Sequence, residues 1–400
     1  MKALFITAPS DTPFQTWYPP LGIAYISAYL KQACPEWQTA CCDAALGEAP
    51  LAAVKGYKPD VIGITCTTLG YMNAVKIAKL IKEHYPDVPI VLGGQHISAL
   101  PHTLKAPFDV CVVGEGEQAF VRICREIEQY GRLSTDKYVG VKVKNLDTLP
   151  FPDREMFNMR TYLQPQAHWV DAYGRGTSMF TSRGCPYACV FCASARFWGK
   201  PVRGNFSMLV VDEMEMLVDK YKIEFLNFFD DLFHYDKQRL RNVVKEVKTR
   251  GVNLRIGIQA HAPTFDEETA CLCAEMGVEY VGFGFESASP KLLEFLKCGV
   301  ATLDHARSAI KNARKYGMKV GSGFMCNVPG ETEADVKANE DFIREQKLDS
   351  YSFYVLTPYP GTPLWDYALK KGLVSDDMDF TRIYQTENGK NVKLTTHVCR

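Results

Sequence analysis

Short apolar runs alternate with longer segments of helical period along most of the chain. In the first third, Leu4–Thr7, Asp60–Thr65, Pro89–Gly94 and Asp109–Gly114 are nearly unbroken apolar stretches, and the last two end in glycine. Between them, Leu21–Leu30 and the segment from Thr68 to about Tyr85 place apolar residues at helical spacing. Apolar strands without polar alternation, separated by amphipathic helices, predict a parallel sheet covered on both faces. A weaker strand at Thr39–Asp43 brings the strand count to five. Ligands of such sheets sit at the carboxyl ends of the strands, which here are Thr65–Thr68, Gly93–Gln95 and Gly114–Glu117.

The stretch Leu146–Asp153 has two prolines and no clean period, and marks the domain connection. From Ser178 onward the pattern repeats as strand–helix units. The strands are expected at Ser178–Ser182, Ile223–Phe229, Val252–Ile258, Val278–Phe285, Lys319–Cys326 and Ser350–Leu356. The helices are expected at Ser207–Tyr221, Lys237–Arg250, Phe265–Met276, Leu303–Tyr316 and Thr332–Gln346. Gly251, Gly277 and Gly317 fall where helices end, and Thr264–Glu267 has the form of a capping box. The units predict a partial (β/α)6 barrel, whose reactive face lies at the carboxyl ends of its strands. Polar groups collect there, in a cysteine loop after the first strand and then at Phe228–His234, Gln259–His261, Glu286–Ser289, Cys326–Thr332 and Thr357–Pro363. The resulting division is a first domain over 1–140, a linker over 141–176, a barrel over 177–372 and a polar tail over 373–400.

Composition narrows the function. Lys+Arg and Asp+Glu both number 46, so the net charge is zero, and there is no long basic run of the kind nucleic-acid binding uses. No stretch of about 18 apolar residues offers a membrane span. The start is apolar for too few residues to be a signal peptide. Fourteen cysteines scattered over 400 residues do not form a secreted disulfide framework, and a reducing cytoplasm is expected.

Three of those cysteines, Cys185, Cys189 and Cys192, stand in a C-x3-C-x2-C pattern within Gly184-Cys-Pro-Tyr-Ala-Cys-Val-Phe-Cys192. Zinc knuckles use paired C-x2-C spacing with a second pair further on, which is absent here. Three thiolates on one loop suit an iron–sulfur cube and leave one iron open for chemistry. The motif resembles the signature of the radical S-adenosylmethionine (SAM) enzymes. That resemblance implies a [4Fe–4S] cluster on Cys185, Cys189 and Cys192, SAM on the open iron, and reductive formation of a 5′-deoxyadenosyl radical. By the same resemblance, Phe191 lies near the adenine. Phe229-Asp-Asp-Leu-Phe233 is similar to the motif that contacts the SAM amino group, which implicates Asp230 and Asp231. Gly284-Phe-Glu-Ser287 is similar to the fourth-strand motif, and the resemblance implies Glu286, Ser287 and Gln259 as further SAM contacts. Asp230 and Asp231 have an alternative reading as helix N-caps. His234 and His261 at the rim are candidate proton carriers, and Cys298 and Cys326 candidate hydrogen-atom donors; each also has a plain structural reading.

Tyr18-Pro-Pro-Leu-Gly-Ile-Ala24, Leu92-Gly-Gly-Gln-His96 and Val113-Gly-Glu-Gly-Glu117 resemble the cobalamin-binding domain that precedes many radical SAM barrels. The resemblance implies a flavodoxin-like (Rossmann-type) domain followed by a partial TIM-type barrel, an α/β protein throughout. Its cobalamin contacts are Thr65, Thr67, Gly93, Gly94, Gln95, Gly114 and Glu115. One departure stands out: the loop Pro9–Thr16 has no histidine to ligate cobalt, and His96 is better suited to a surface or tail contact. With cobalamin, the implied reaction is methylation of an unactivated carbon of a small-molecule or natural-product substrate, free or carrier-bound. A flavodoxin or ferredoxin would supply the electron. Radical cyclisation, rearrangement, dehydration or reduction without methyl transfer is the alternative. From another class, an iron–sulfur electron-transfer or redox-sensing protein would need no SAM pocket.

Overall fold

The computed structural model describes residues 1–10, 18–163 and 174–383. Loop residues 11–17, linker residues 164–173 and the tail beyond 383 lie outside this description.

The first sheet has six parallel strands: β1 (Lys2–Thr7), β2 (Gln38–Cys42), β3 (Val61–Thr65), β4 (Ile90–Gly93), β5 (Val110–Val113) and β6 (Lys137–Val139), in the order β2-β1-β3-β4-β5-β6. The connecting helices are α1 (Leu21–Ala33), α2 (Pro50–Tyr57), α3 (Tyr71–His84), α4 (Gln95–Ala99) and α5 (Glu117–Tyr130). The sequence pattern gave five strands. It missed β6 because only Tyr138 in it is buried, between exposed Lys137 and Val139, as befits a short edge strand.

The segment assigned as a linker is packed. Its helix α6 (Met159–Tyr162) and the residues before it bind both domains. Asp153 accepts hydrogen bonds from Ser27 Oγ and Lys31 Nζ of α1, each at 2.6 Å. The next residue, Arg154, donates to Glu213 Oε1 at 2.6 Å and to the Ser178 carbonyl at 2.8 Å, on the barrel side.

The barrel opens with β7 (Gly176–Met179), then a two-stranded antiparallel ribbon, β8 (Ser182–Arg183) and β9 (Arg203–Gly204), with α7 (Ser194–Phe197) between its strands. Next come α8 (Ser207–Tyr221), β10 (Phe225–Phe228), α9 (Lys237–Arg250), β11 (Arg255–Ala260), α10 (Glu267–Met276) and β12 (Val278–Glu286). The chain continues through α11 (Pro290–Lys297), α12 (Leu303–Lys315), β13 (Lys319–Cys326), α13 (Glu333–Gln346), β14 (Ser350–Val355) and α14 (Pro363–Lys370). The six barrel strands are parallel and run β14-β13-β12-β11-β10-β7.

Several boundaries moved for identifiable reasons. β7 stops at Met179 because the Thr181 N–H donates to Asp230 Oδ1 at 2.6 Å instead of extending the ladder. β11 starts at Arg255 because the Val252 N–H closes the end of α9 on the Val247 carbonyl, next to left-handed Gly251. The Thr264–Glu267 capping box did not form. Asp266 caps α10 by accepting from the Thr269 N–H at 3.0 Å, and complete boxes occur instead at Thr302/His305 and Thr332/Asp335.

The chain returns to its first domain at the end. Trp365 and Ala368 of α14, followed by Val374, Phe380 and Ile383, join the core formed by β1, β3, β4 and α3, so the region beyond 372 is not simply a polar tail. His96 belongs to this core and is not a surface contact. It is fully buried, stacked on Tyr71 with ring centroids 4.0 Å apart and edge-on to Phe380 at 4.6 Å. Burial pushes its pKa down to about 3. A histidine that is neutral when folded and has a pKa of about 6.5 when unfolded takes up a proton on unfolding. Its contribution is therefore complete above about pH 6.5 and declines as the pH falls below that value, by about 1.4 kcal/mol per pH unit. Urea titrations at pH 7.5 and 5.5 are expected to show wild type losing about 1 kcal/mol more than His96→Phe. Equal losses would count against a buried neutral imidazole.

Candidate active site

The cysteine loop runs from β8 to α7 and is held from several sides. The Cys185 N–H donates to the Gly199 carbonyl at 3.3 Å, and the Val190 N–H to Leu296 in α11 at 3.1 Å. The Val190 carbonyl accepts from Leu364 in α14 at 3.0 Å. Cys185, Cys189 and Cys192 are free and half-buried. Burial pushes the Cys185 thiol up to about 11. It also raises Cys189, where the Lys297 ammonium partly offsets the effect.

Lys297 escaped notice in the sequence, yet it is buried beside this loop. Its Nζ lies 5.6 Å from the Phe191 ring centroid and 3.1 Å from Glu286 Oε1. Its helix was legible, since Ser289-Pro290 is a helix start and the short helix it opens carries Lys297 at its end, but nothing in that pattern marks the lysine as buried. Glu286 has φ +66 at a register shift between β12 and β13. A non-glycine residue in this region costs about 1–3 kcal/mol and persists where its surroundings impose it. Gln259 of β11 packs over Gly282 of β12.

Other candidates are placed differently from expectation. Asp230 is fully buried and accepts from the Thr181 N–H, Thr181 Oγ1 and Ser182 Oγ at 2.5–2.6 Å. It anchors the strand leading into the cysteine loop and has no free face for a cofactor. Asp231 accepts from Ser194 Oγ at 2.7 Å. Neither is an N-cap, because Asp236 caps α9. Ser287 is also fully buried, where its Oγ accepts from the Ser289 N–H at 3.1 Å. His234 is buried with Nε2 2.9 Å from Thr264 Oγ1, and burial takes its pKa down to about 4, so it is not at the rim. His261 stacks on Tyr187 of the cysteine loop at 3.9 Å. Neither of its ring nitrogens has a hydrogen-bond partner among the described residues. The Cys298 thiol is exposed and donates to the Ala188 carbonyl at 3.1 Å, whereas Cys326 is buried against the Tyr354 carbonyl.

At the first sheet, the turns after β3, β4 and β5 adjoin one another. Thr65 is half-buried, exposed Thr67 pairs with Ser10 through their hydroxyls at 3.0 Å, and Gln95 is exposed at the start of α4. Ser98 links two of the turns: its Oγ donates to the Gly94 carbonyl at 2.7 Å and accepts from the Gly114 N–H at 3.0 Å. A Cβ on Gly93 would meet nothing within 4 Å, so the space over it is open. Glu115 does not face that space. Its side chain is 1% exposed and paired with Arg203 at 2.6 Å and Arg183 at 3.2 Å.

Two family models match the chain, the radical SAM superfamily over residues 179–343 and the B12 binding domain over residues 12–124. An uncharacterized methyltransferase of Pyrococcus horikoshii, PH0819, is 31% identical over 398 residues, covering 94% of this chain and 84% of its own. The chain belongs to the radical SAM superfamily. A second relative, the cytidylyl-2-hydroxyethylphosphonate methyltransferase of Streptomyces wedmorensis, is 27% identical and covers 85% of this chain and 72% of its own. Among solved structures, the radical SAM methyltransferase TsrM from Kitasatospora setae, with cobalamin and a [4Fe–4S] cluster bound, superposes with a TM-score of 0.74. It covers 98% of this chain and 80% of its own at 18% identity, a likeness of fold.

Radical SAM membership brings a [4Fe–4S] cluster and SAM, and the B12 binding domain brings cobalamin. The residues present suit these groups. Three free, half-buried thiols on one loop are the donor type of a cube with an open iron, although among the described residues no three His, Cys, Asp or Glu side chains are arranged to hold a metal ion. The Glu286–Lys297 pair and the Phe191 ring offer a carboxylate, a cation and an apolar face beside it. The open space over Gly93 admits a bulky group close to the backbone. Gly94 has φ +103, and a Cβ there would lie 2.5 Å from the Cys66 carbonyl oxygen. Gly94→Ala is expected to cost about 1–3 kcal/mol and to weaken cobalamin uptake at least tenfold. Equilibrium dialysis with hydroxocobalamin checks this, and unchanged uptake would remove this turn from the site. Among the described residues, no helix is long and apolar enough to cross a membrane.

Proposed function

We propose that this protein is a cobalamin-dependent radical SAM methyltransferase that transfers a methyl group to an unactivated carbon of a small organic substrate. The observation that carries this reading is the direct side-chain link between the two candidate cofactor regions. The ribbon leading into the cysteine loop is ion-paired, through Arg183 and Arg203, to the turn that follows β5 of the B12 binding domain. In this reading Cys185, Cys189 and Cys192 hold the cluster, and the Glu286–Lys297 pair and Phe191 bind SAM, with Asp231 and Gln259 at the margin. The turns at Thr65–Thr67, Gly93–Gln95 and Gly114 hold cobalamin. When bound, cobalamin supplies a methyl carrier, and the cluster supplies the electron that cleaves SAM. The chain's own contribution is to orient the substrate carbon between the two sites and to exclude water.

The relatives' names support methyl transfer, and TsrM has been solved with a tryptophan substrate and a SAM analogue bound. A small-molecule substrate, free or carrier-bound, fits a chain of zero net charge. Flavodoxin or ferredoxin is the proposed electron donor. The test is an anaerobic incubation of reconstituted protein with SAM, reductant, hydroxocobalamin and candidate substrates. Formation of both S-adenosylhomocysteine and 5′-deoxyadenosine supports the proposal. Deoxyadenosine alone would overturn methyl transfer, and absence of both would overturn the radical SAM reaction itself.

A further inference from the structure

Glu115 directly follows Gly114, the glycine just after β5, which has φ +88. Its carboxylate accepts from Arg203 Nη2 at 2.6 Å and from Arg203 Nη1, Arg183 Nη1 and the Val143 N–H at 2.9–3.2 Å. Glu117, at the start of α5, binds the other end of the Arg183 guanidinium at 2.7 Å. Two carboxylates thus face two guanidiniums, all but Arg203 with side-chain exposure of 6% or less. The two arginines are register partners across the β8–β9 ribbon, and Arg183 is two residues before Cys185. The rings of Tyr25 and Trp198 each lie 5.1 Å from the Arg183 guanidinium. Nothing in this cluster faces a ligand, so it is not itself a binding site.

We propose that Glu115 is a positioning residue that sets the separation between the two cofactors, by fixing the cysteine loop to the glycine turn of the B12 binding domain. A buried, fully paired ion cluster adds little net stability over an apolar filling, but its hydrogen-bond geometry is strict. Apolar packing tolerates sliding, whereas a carboxylate shared by two guanidiniums does so poorly. The cluster joins the two turns whose relative position matters when a group passes between cofactors. This inference rests on the function proposed above.

The test uses full-length protein carrying both the reconstituted cluster and hydroxocobalamin, reduced so that both centres are paramagnetic. Pulsed dipolar EPR then reads the cobalt–cluster distance. Wild type is expected to give one narrow distribution. Glu115→Gln and the milder Arg203→Lys are expected to broaden it at least twofold with iron and cobalamin content unchanged. Variants that bind both cofactors with the wild-type distribution would overturn the inference alone. Loss of cobalamin from Arg203→Lys with its cluster intact would also overturn it, by making the cluster part of the cobalamin site. Wild type that takes up no cobalamin would bring down the functional reading, and this inference with it.

Discussion

Cys189→Ala protein is expected to emerge from anaerobic reconstitution without a cluster, and to form no 5′-deoxyadenosine above background. Cys189 is the middle thiol of the loop and is close enough to Lys297 to feel its charge. Two thiolates leave a cube exposed on a second iron, and thiolate ligation is what holds such clusters. Iron and acid-labile sulfide content gives the direct measurement. The fold should survive, because the side chain is half-buried and its loss creates no large cavity. Cys298→Ala is the matched control: its thiol adjoins the same loop through the Ala188 carbonyl but is not expected to be a ligand, so the cluster should remain. A full complement of iron in Cys189→Ala would refute the ligand assignment.

Arg154→Met should be the most destabilising substitution in the packed linker, at about 3–5 kcal/mol. Arg154 and Glu213 have side-chain exposures of 1% and 5% and meet at 2.6 Å. Removing the guanidinium leaves a buried carboxylate, whose pKa burial already raises. It also leaves the Ser178 carbonyl without its donor at the start of the barrel. The urea midpoint of the folded protein reads the loss. A second change, Glu213→Leu, should recover most of it, because replacing both partners removes the unpaired charge. A loss below about 1 kcal/mol in the single variant would show that water reaches Glu213.

Alternating apolar runs revealed both parallel sheets because a strand buried on two faces has no polar alternation to hide it. Lys319–Cys326 matched the structure residue for residue for that reason, and helix Ser207–Tyr221 matched through its helical apolar period. The misses involve tertiary hydrogen bonds with no local period. Nothing near Thr181 announces that its amide will turn to Asp230, 49 residues away. The pattern around the site identified residue types better than roles. Glu115, Asp230 and Ser287 are polar residues at strand ends, where a ligand is expected, yet each is occupied by protein partners. Their partners Arg183 and Thr181 were in view but could not be matched to them before the fold was known. Lys297 was missed for the opposite reason, since a lysine ending an amphipathic helix is usually exposed.

The packing of Trp365, Phe380 and Ile383 onto β1, β3 and α3 has a consequence for synthesis. The strands of the first domain are made at the start of translation, but the residues that cover His96 and Tyr71 are made more than 250 residues later. Until then that apolar face lacks these residues, and a nascent chain halted within the barrel would leave this part of it exposed. The domain that leaves the ribosome first therefore waits for some of the latest described residues to complete its core.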